Sequence, residues 1–177
     1  RHRLLKQLRM SHEEVKKEHK DVEGNAEVKG KIRARMRSMA NRRMLAAVPS
    51  ADIVVMNPTH YAVALKYDES SMGAPRVVAK GMDLMAMRIR DTAKAAKVPV
   101  LQAPPLARAL HAHCEIDQEV PAALFAVVAQ VLAWVYQLRQ AAAHGVAAPQ
   151  DLPSLVVPPG MDPQDKPAAA SGEGAKA

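Results

Sequence analysis

The stretch ADIVVMNPTHYAVALKY, residues 51–67, sets the architecture of the chain and carries its most distinctive chemistry. Its first part, Ala51 to Met56, is a short β-branched apolar run, and in its second Tyr61, Val63, Leu65 and Tyr67 alternate with smaller or polar residues. Both parts read as strands. Between them Asn57-Pro58-Thr59-His60 has the composition of a turn, and so short a loop favours antiparallel neighbours.

Beyond the turn-rich segment from Asp68 to Pro75, Val77-Val78-Ala79 predicts a third strand. A helix is expected over about 83–97, with Leu84, Met87 and Ala95 among its apolar positions, and Val98-Pro99-Val100-Leu101 predicts a fourth strand. Strand, helix, strand in that order predicts a crossover with parallel strands. Pro104-Pro105 opens a short helix to about Cys114, and Pro121 opens a long apolar one to about Gln140. The expected fold is α/β, a small, mostly parallel sheet of about four strands surrounded by helices.

Upstream, Ser11 and Glu14 have capping-box spacing, and a polar helical stretch from there to about Asp21 is interrupted at Gly24-Asn25. Ile32, Met36, Met39, Ala40 and Met44 then recur at helical spacing beside Arg33, Arg35, Arg37, Arg42 and Arg43, which predicts a basic amphipathic helix ended by Pro49. From Gly145 on, six of the 13 prolines fall within 33 residues and no period survives, the composition of a disordered tail. The chain thus reads as three segments: a basic helical arm over 1–48, a globular domain over 49–142 and a Pro/Ala-rich tail over 143–177.

With 177 residues, 49% of them hydrophobic, the chain can bury one modest core. Its net charge of +7 is uneven: residues 1–43 hold 14 of the 25 Lys+Arg and 6 of the 18 Asp+Glu, so the basicity belongs to the arm. Such an arm attracts phosphates, yet aromatics are 3% of the chain and no stacking platform is visible, so no nucleic-acid partner is expected and a basic-arm nucleic-acid-binding module stands only as the less favoured alternative. The single cysteine, Cys114, excludes an internal disulfide and suits a reducing compartment. His111, His113 and Cys114 are zinc ligands by type, but helical residues two apart face different ways and no second cluster exists, so neither metal nor cofactor is expected. The methionines suit core packing. No run approaches the roughly 18 apolar residues of a membrane span. RHRLLKQLRM, the start of the chain, has no signal-peptide core and no initiating methionine, which suggests a soluble piece of something longer.

Asn57-Pro58-Thr59-His60 also offers a route to backbone cleavage. Before an ordinary residue, an asparagine side chain is attacked by the next backbone nitrogen and deamidates; Pro58 has no N–H, so that route is closed. The reverse attack remains open. The Asn57 side-chain nitrogen adds to its own backbone carbonyl, closes a five-membered succinimide and expels the proline nitrogen, cutting the chain between 57 and 58. A tertiary amide loses less on twisting, and a tight turn between fixed strands can impose the twist. His60 is a candidate to relay a proton, while the Thr59 hydroxyl and nearby N–H groups are candidates to hold the oxyanion.

The ordered segments SHEEVKKEHKDVEGNAEVKGKIRARM, ADIVVMNPTHYAVALKYDE, GAPRVVAKGMDLMAMRIR, VPVLQAPPLARALH and VLAWVYQL, spread over residues 11–140, resemble the C-terminal cytoplasmic domain of the FlhB/YscU/SctU type III export switch family. LAWVYQL and APPLARAL resemble its flagellar branch more than its virulence-injectisome branch. The resemblance implies that Asn57, Pro58, Thr59 and His60 are an autocleavage motif with Asn57 as nucleophile, a single-turnover reaction rather than that of a turnover enzyme. It further implies a domain at the cytoplasmic face of the bacterial inner membrane, preceded by transmembrane helices. Its partners would be other export-apparatus proteins, rod/hook-type and filament-type substrates, and a hook-length ruler protein. Ala74, Pro75, Ala129 and Leu132 match the family's proposed substrate patch.

Overall fold

The computed structural model describes residues 12–145, 147 and 154–165. In chain order the elements are α1 (His12–Ala47), β1 (Ile53–Asn57), β2 (Tyr61–Lys66), β3 (Arg76–Met82), α2 (Leu84–Ala95), β4 (Val100–Gln102), α3 (Pro104–His113) and α4 (Phe125–His144). Short 3-10 turns at Val48–Ser50 and Ala122–Leu124 precede β1 and α4. The chain divides into two units, residues 1–43 and 44–177.

The period of two along the strands sorts their side chains into two layers. Ile53, Val55, Val63, Leu65 and Val77 cluster with Leu106 and Leu110 of α3 and Val128, Val131 and Val135 of α4. Val54, Met56, Ala62, Ala64 and Ala79 point the other way and meet Ala86, Ile89 and Ala93 of α2, together with Met44 and Val48. Because β1 and β2 are covered on both faces, they read as nearly continuous apolar runs; β3, at an edge, alternates. Met44 and Val48 are buried in the second layer, which places the edge of the folded unit ahead of the expected boundary at 48/49.

Four strands enclosed by helices are present, but their directions correct the expectation of a mostly parallel sheet. The order is β3-β2-β1-β4. β1 pairs antiparallel with β2, β2 antiparallel with β3, and only β1 and β4 pair in parallel. β3 and β4 do run the same way, as strand, helix, strand predicted, but they occupy opposite edges with the β1–β2 hairpin between them. Strand propensity is local, whereas neighbour choice depends on which faces the helices cover.

Two further expectations are revised. α1 runs unbroken through Gly24-Asn25. One interior glycine costs about 1 kcal/mol, and the strong helix formers around it, with a Glu27–Lys31 pair at 2.7 Å, carry the helix across. Along it Val28, Ile32, Met36 and Met39 are exposed. Within the segment expected to be disordered, residues 154–165 lie on the core. Leu155, Val157 and Met161 pack against the α3/α4 layer, and Asp162, only 4% exposed, takes a two-pronged ion pair from Arg108. Composition counts prolines but misses one buried charge pair. The remainder of that segment from residue 148 lies outside the described residues.

By length and composition Ala122–His144 is apolar enough to cross a membrane. Its buried Val127, Val128, Val131, Leu132 and Val135 cover the sheet, and 33% of the apolar window is buried in all.

α2 comes unusually close to β3. A Cβ placed on Gly81 would stand 2.5 Å from Met85 Cγ and 2.8 Å from Met85 Cβ, with Ile89 Cδ1 at 3.2 Å. Gly81→Ala must therefore push the helix outward, and a loss of about 1–3 kcal/mol is expected in urea unfolding. A midpoint unchanged from the parent would show that α2 yields freely.

Candidate functional site

β1 and β2 present the Asn57-Pro58-Thr59-His60 turn from the centre of the sheet. Asn57, the last residue of β1, is in register with Tyr61, the first of β2. On its other side β1 is held by β4, and the Ala103 N–H donates to the Met56 carbonyl at 3.0 Å. Asn57 thus sits at the end of a strand fixed on both edges, while Pro58, Thr59 and His60 are exposed.

The turn is closed by the His60 N–H, which donates to the Asn57 carbonyl oxygen at 3.0 Å. That oxygen belongs to the carbonyl that cyclisation would attack. A backbone donor is therefore already in place where negative charge would develop. Thr59 has φ 66°, in the left-handed region. A proline second and a positive φ third mark a type II turn, whose third position normally takes glycine. A β-branched residue there is strained, and the strain lies one residue beyond the Asn57-Pro58 bond.

The His60 carbonyl accepts from the Asp83 N–H at 2.9 Å, and His60 Nδ1 stands 3.8 Å from Asp83 Oδ1. Both side chains are about two-thirds exposed, so this is a solvent-screened contact beyond hydrogen-bond distance. Asp83 itself has φ 48° and ψ −117° at the junction of β3 and α2. The turn is thereby tied at one end to β1 and at the other to the start of α2. In the sequence Asp83 reads only as a helix start; its tie to His60 depends on β2 and β3 being neighbours.

His111, His113 and Cys114 do not converge. The His111 ring lies 4.7 Å from that of Tyr61, and burial holds its pKa below the ordinary histidine value. His113 Nε2 is 3.0 Å from the Met161 carbonyl oxygen. Cys114 is buried, and loss of water pushes its thiol up to about 11. Lys80 Nζ donates to the carbonyls of His111 and Cys114 and to the Glu115 carboxylate, closing the end of α3.

On another part of the same unit, Ala74, Pro75, Ala129 and Leu132 line one groove of about 340 Å³. Tyr67, Phe125 and Tyr136 supply its aromatic walls and Glu69 an acidic group. The Tyr136 hydroxyl donates to the Tyr67 carbonyl at 3.3 Å, joining the two walls. Such a groove is chemically suited to apolar side chains of a peptide.

A profile of the FlhB HrpN YscU SpaS Family matches residues 1–135. The flagellar biosynthetic protein FlhB of Salmonella typhimurium is 52% identical over 158 residues, which is 89% of this chain and 41% of that protein. That of Bacillus subtilis is 50% identical over 135 residues, 76% of this chain and 38% of its own length. The chain thus spans about two fifths of these relatives. Among solved structures, the cytoplasmic domain of FlhB from Shewanella putrefaciens superposes with a TM-score of 0.65 at 45% identity, covering 69% of this chain and 95% of that one. The EscU C-terminal domain bearing an asparagine-to-aspartate mutation gives 0.51 at 28% identity over 52% of this chain and 98% of its own. By the extent of the profile match and the agreement of the folds, the chain belongs to the FlhB/HrpN/YscU/SpaS family.

Proposed function

We propose that this domain cuts its own backbone between Asn57 and Pro58 and, once cut, governs which class of protein a flagellar type III export apparatus accepts. The observation that carries the reading is the His60 N–H held on the Asn57 carbonyl in a turn strained at Thr59. In the reaction the Asn57 side-chain nitrogen bonds to its own carbonyl carbon, the bond to the Pro58 nitrogen breaks, and the proton lost by the amide ends on that nitrogen. His60, beside Asp83 at the end of the turn, is the group near enough to carry it. Water later opens the succinimide. The reaction happens once per chain and regenerates nothing, so the domain is not a turnover enzyme.

Likeness to a FlhB cytoplasmic domain and to flagellar biosynthetic proteins supports a place at the cytoplasmic face of the inner membrane, joined to a membrane-embedded part and acting on flagellar cargo. The aromatic groove at Ala74, Pro75, Ala129 and Leu132 is the surface we assign to cargo of rod/hook or filament type, with a hook-length ruler protein timing the change. Cutting one bond in a turn leaves both core layers in place, so the switch acts through local mobility of Pro58-Thr59-His60.

Cells carrying Asn57→Ala are expected to export hook-type substrates and fail to pass to filament-type ones. Supplying the two sides of the cut as separate co-expressed chains, the first with its membrane part, should restore switching. A split protein that assembles stably yet never switches would overturn the mobility account.

A further inference from the structure

Cleavage at Asn57-Pro58 leaves two chains, and what holds them in one orientation is visible at Asp52. β1 belongs to the first product, while β2, β3, β4 and the helices after them belong to the second. Most of the surface between them is strand ladder and apolar core, which resists separation without directional side-chain contacts. Among the described residues from Met44 onward, the side-chain hydrogen bonds and ion pairs that cross from one product to the other all meet at Asp52. Its Oδ1 accepts from Arg139 Nη1 at 2.7 Å and its Oδ2 from the Tyr67 N–H at 2.9 Å. Arg139 Nη2 also donates to the Asp52 carbonyl at 3.2 Å, and the Asp52 N–H donates to the Leu65 carbonyl at 2.8 Å. The Asp52 carboxylate is 14% exposed and the Arg139 side chain 45%, so the bond from the Tyr67 N–H is the sheltered one and the Arg139 pair lies at the rim.

Both groups that grip Asp52 adjoin the aromatic groove. Tyr67 lines it, and Arg139 lies three residues beyond Tyr136, whose hydroxyl bonds the Tyr67 carbonyl. One carboxylate on the first product therefore fixes two elements of the second that form the groove wall. We propose that Asp52 is the latch that holds the two cleavage products in register and, through Tyr67 and Arg139, sets the wall of the cargo groove. The role is one of positioning: Asp52 touches neither the scissile bond nor the groove's interior. It rests on the cleavage reading, because a latch matters only when the chain is in two pieces.

The test uses the purified chain, tagged at residue 1 and immobilised, washed with rising urea while release of the 58–177 product is followed. Asp52→Ala and Arg139→Ala should each release it about tenfold faster than the parent. Because the two side chains act as one unit, the double variant should release no faster than Asp52→Ala alone. Amide exchange at Tyr67 should rise at least tenfold in Asp52→Ala while Val63 and Ala64 in the middle of β2 stay protected, a pattern that general loosening of the fold would not produce. Two bands on a denaturing gel with release and Tyr67 exchange equal to the parent would overturn the latch. A single uncut band would instead remove the cleavage reading, and the latch with it.

Discussion

Asn57→Ala is expected to stay a single 19.1 kDa chain on denaturing gels after prolonged incubation at neutral pH, where the parent is expected in two pieces. Cyclisation needs a nitrogen that reaches the Asn57 carbonyl carbon from within the same residue, and alanine has none. The N–H that donates to the Asn57 carbonyl is that of the His60 backbone, which the substitution leaves in place, so loss of cutting would be assigned to the missing side-chain nitrogen. Pro58→Ala acts differently. It turns the leaving group into an ordinary secondary amide and reopens attack by the new backbone N–H on the Asn57 side chain. Cutting should slow by orders of magnitude, with deamidated, uncut chain appearing instead. Both variants should keep the parent fold, since the turn is exposed and both core layers are untouched. Cleavage at the same bond in Asn57→Ala would require another nucleophile.

Asp162→Ala should free residues 154–165 from the core. Arg108 lies against Asp162 at 2.7 Å from Nε to Oδ1, with side chains 14% and 4% exposed, and its guanidinium holds the Asp162 carboxyl below the usual carboxylate range. Removing one partner leaves a sheltered guanidinium unpaired, at a cost of about 3–5 kcal/mol if nothing moved. Lifting the segment lets Arg108 return to water, so the cost appears as undocking. Limited proteolysis should cut within 154–165 at least tenfold faster, with β1 to α4 intact. The pH dependence has a defined sign: a carboxyl with a lowered folded pKa stabilises above its ordinary value near ~4 and loses that contribution as pH falls through the lowered one. Docking should therefore be constant at neutral pH and fail only in acid. Equal proteolysis of variant and parent would show that Leu155, Val157 and Met161 suffice to hold the segment.

Local chemistry explains how much could be read in the sequence. Alternation at Tyr61, Val63 and Leu65 and the β-branched run before Asn57 are properties of single strands, so the hairpin and its turn were legible, as were helices opened by proline. The cyclisation route comes from Asn-Pro covalent chemistry and needed no fold. Features that depend on long-range neighbours were not legible. β3 and β4 have the directions their crossover implied, but only packing sends them to opposite edges. Asp52 and Asp83 are ordinary acidic residues until Arg139, 87 positions away, and His60 arrive beside them. The 154–165 segment has a disordered composition and is held by a partner 54 residues distant. Ala74, Pro75, Ala129 and Leu132 are reached through family resemblance alone, and the fold brings all four to one groove.

Intact-mass spectrometry of the freshly purified chain in acid and denaturant tests the central claim most directly. Two masses are expected, residues 1–57 and 58–177, with the first piece lighter by one water wherever the terminal succinimide has not yet opened. These pieces should co-migrate under native conditions, because β1 stays between β2 and β4. A single mass of 19.1 kDa that persists after long incubation at neutral pH would contradict self-cleavage.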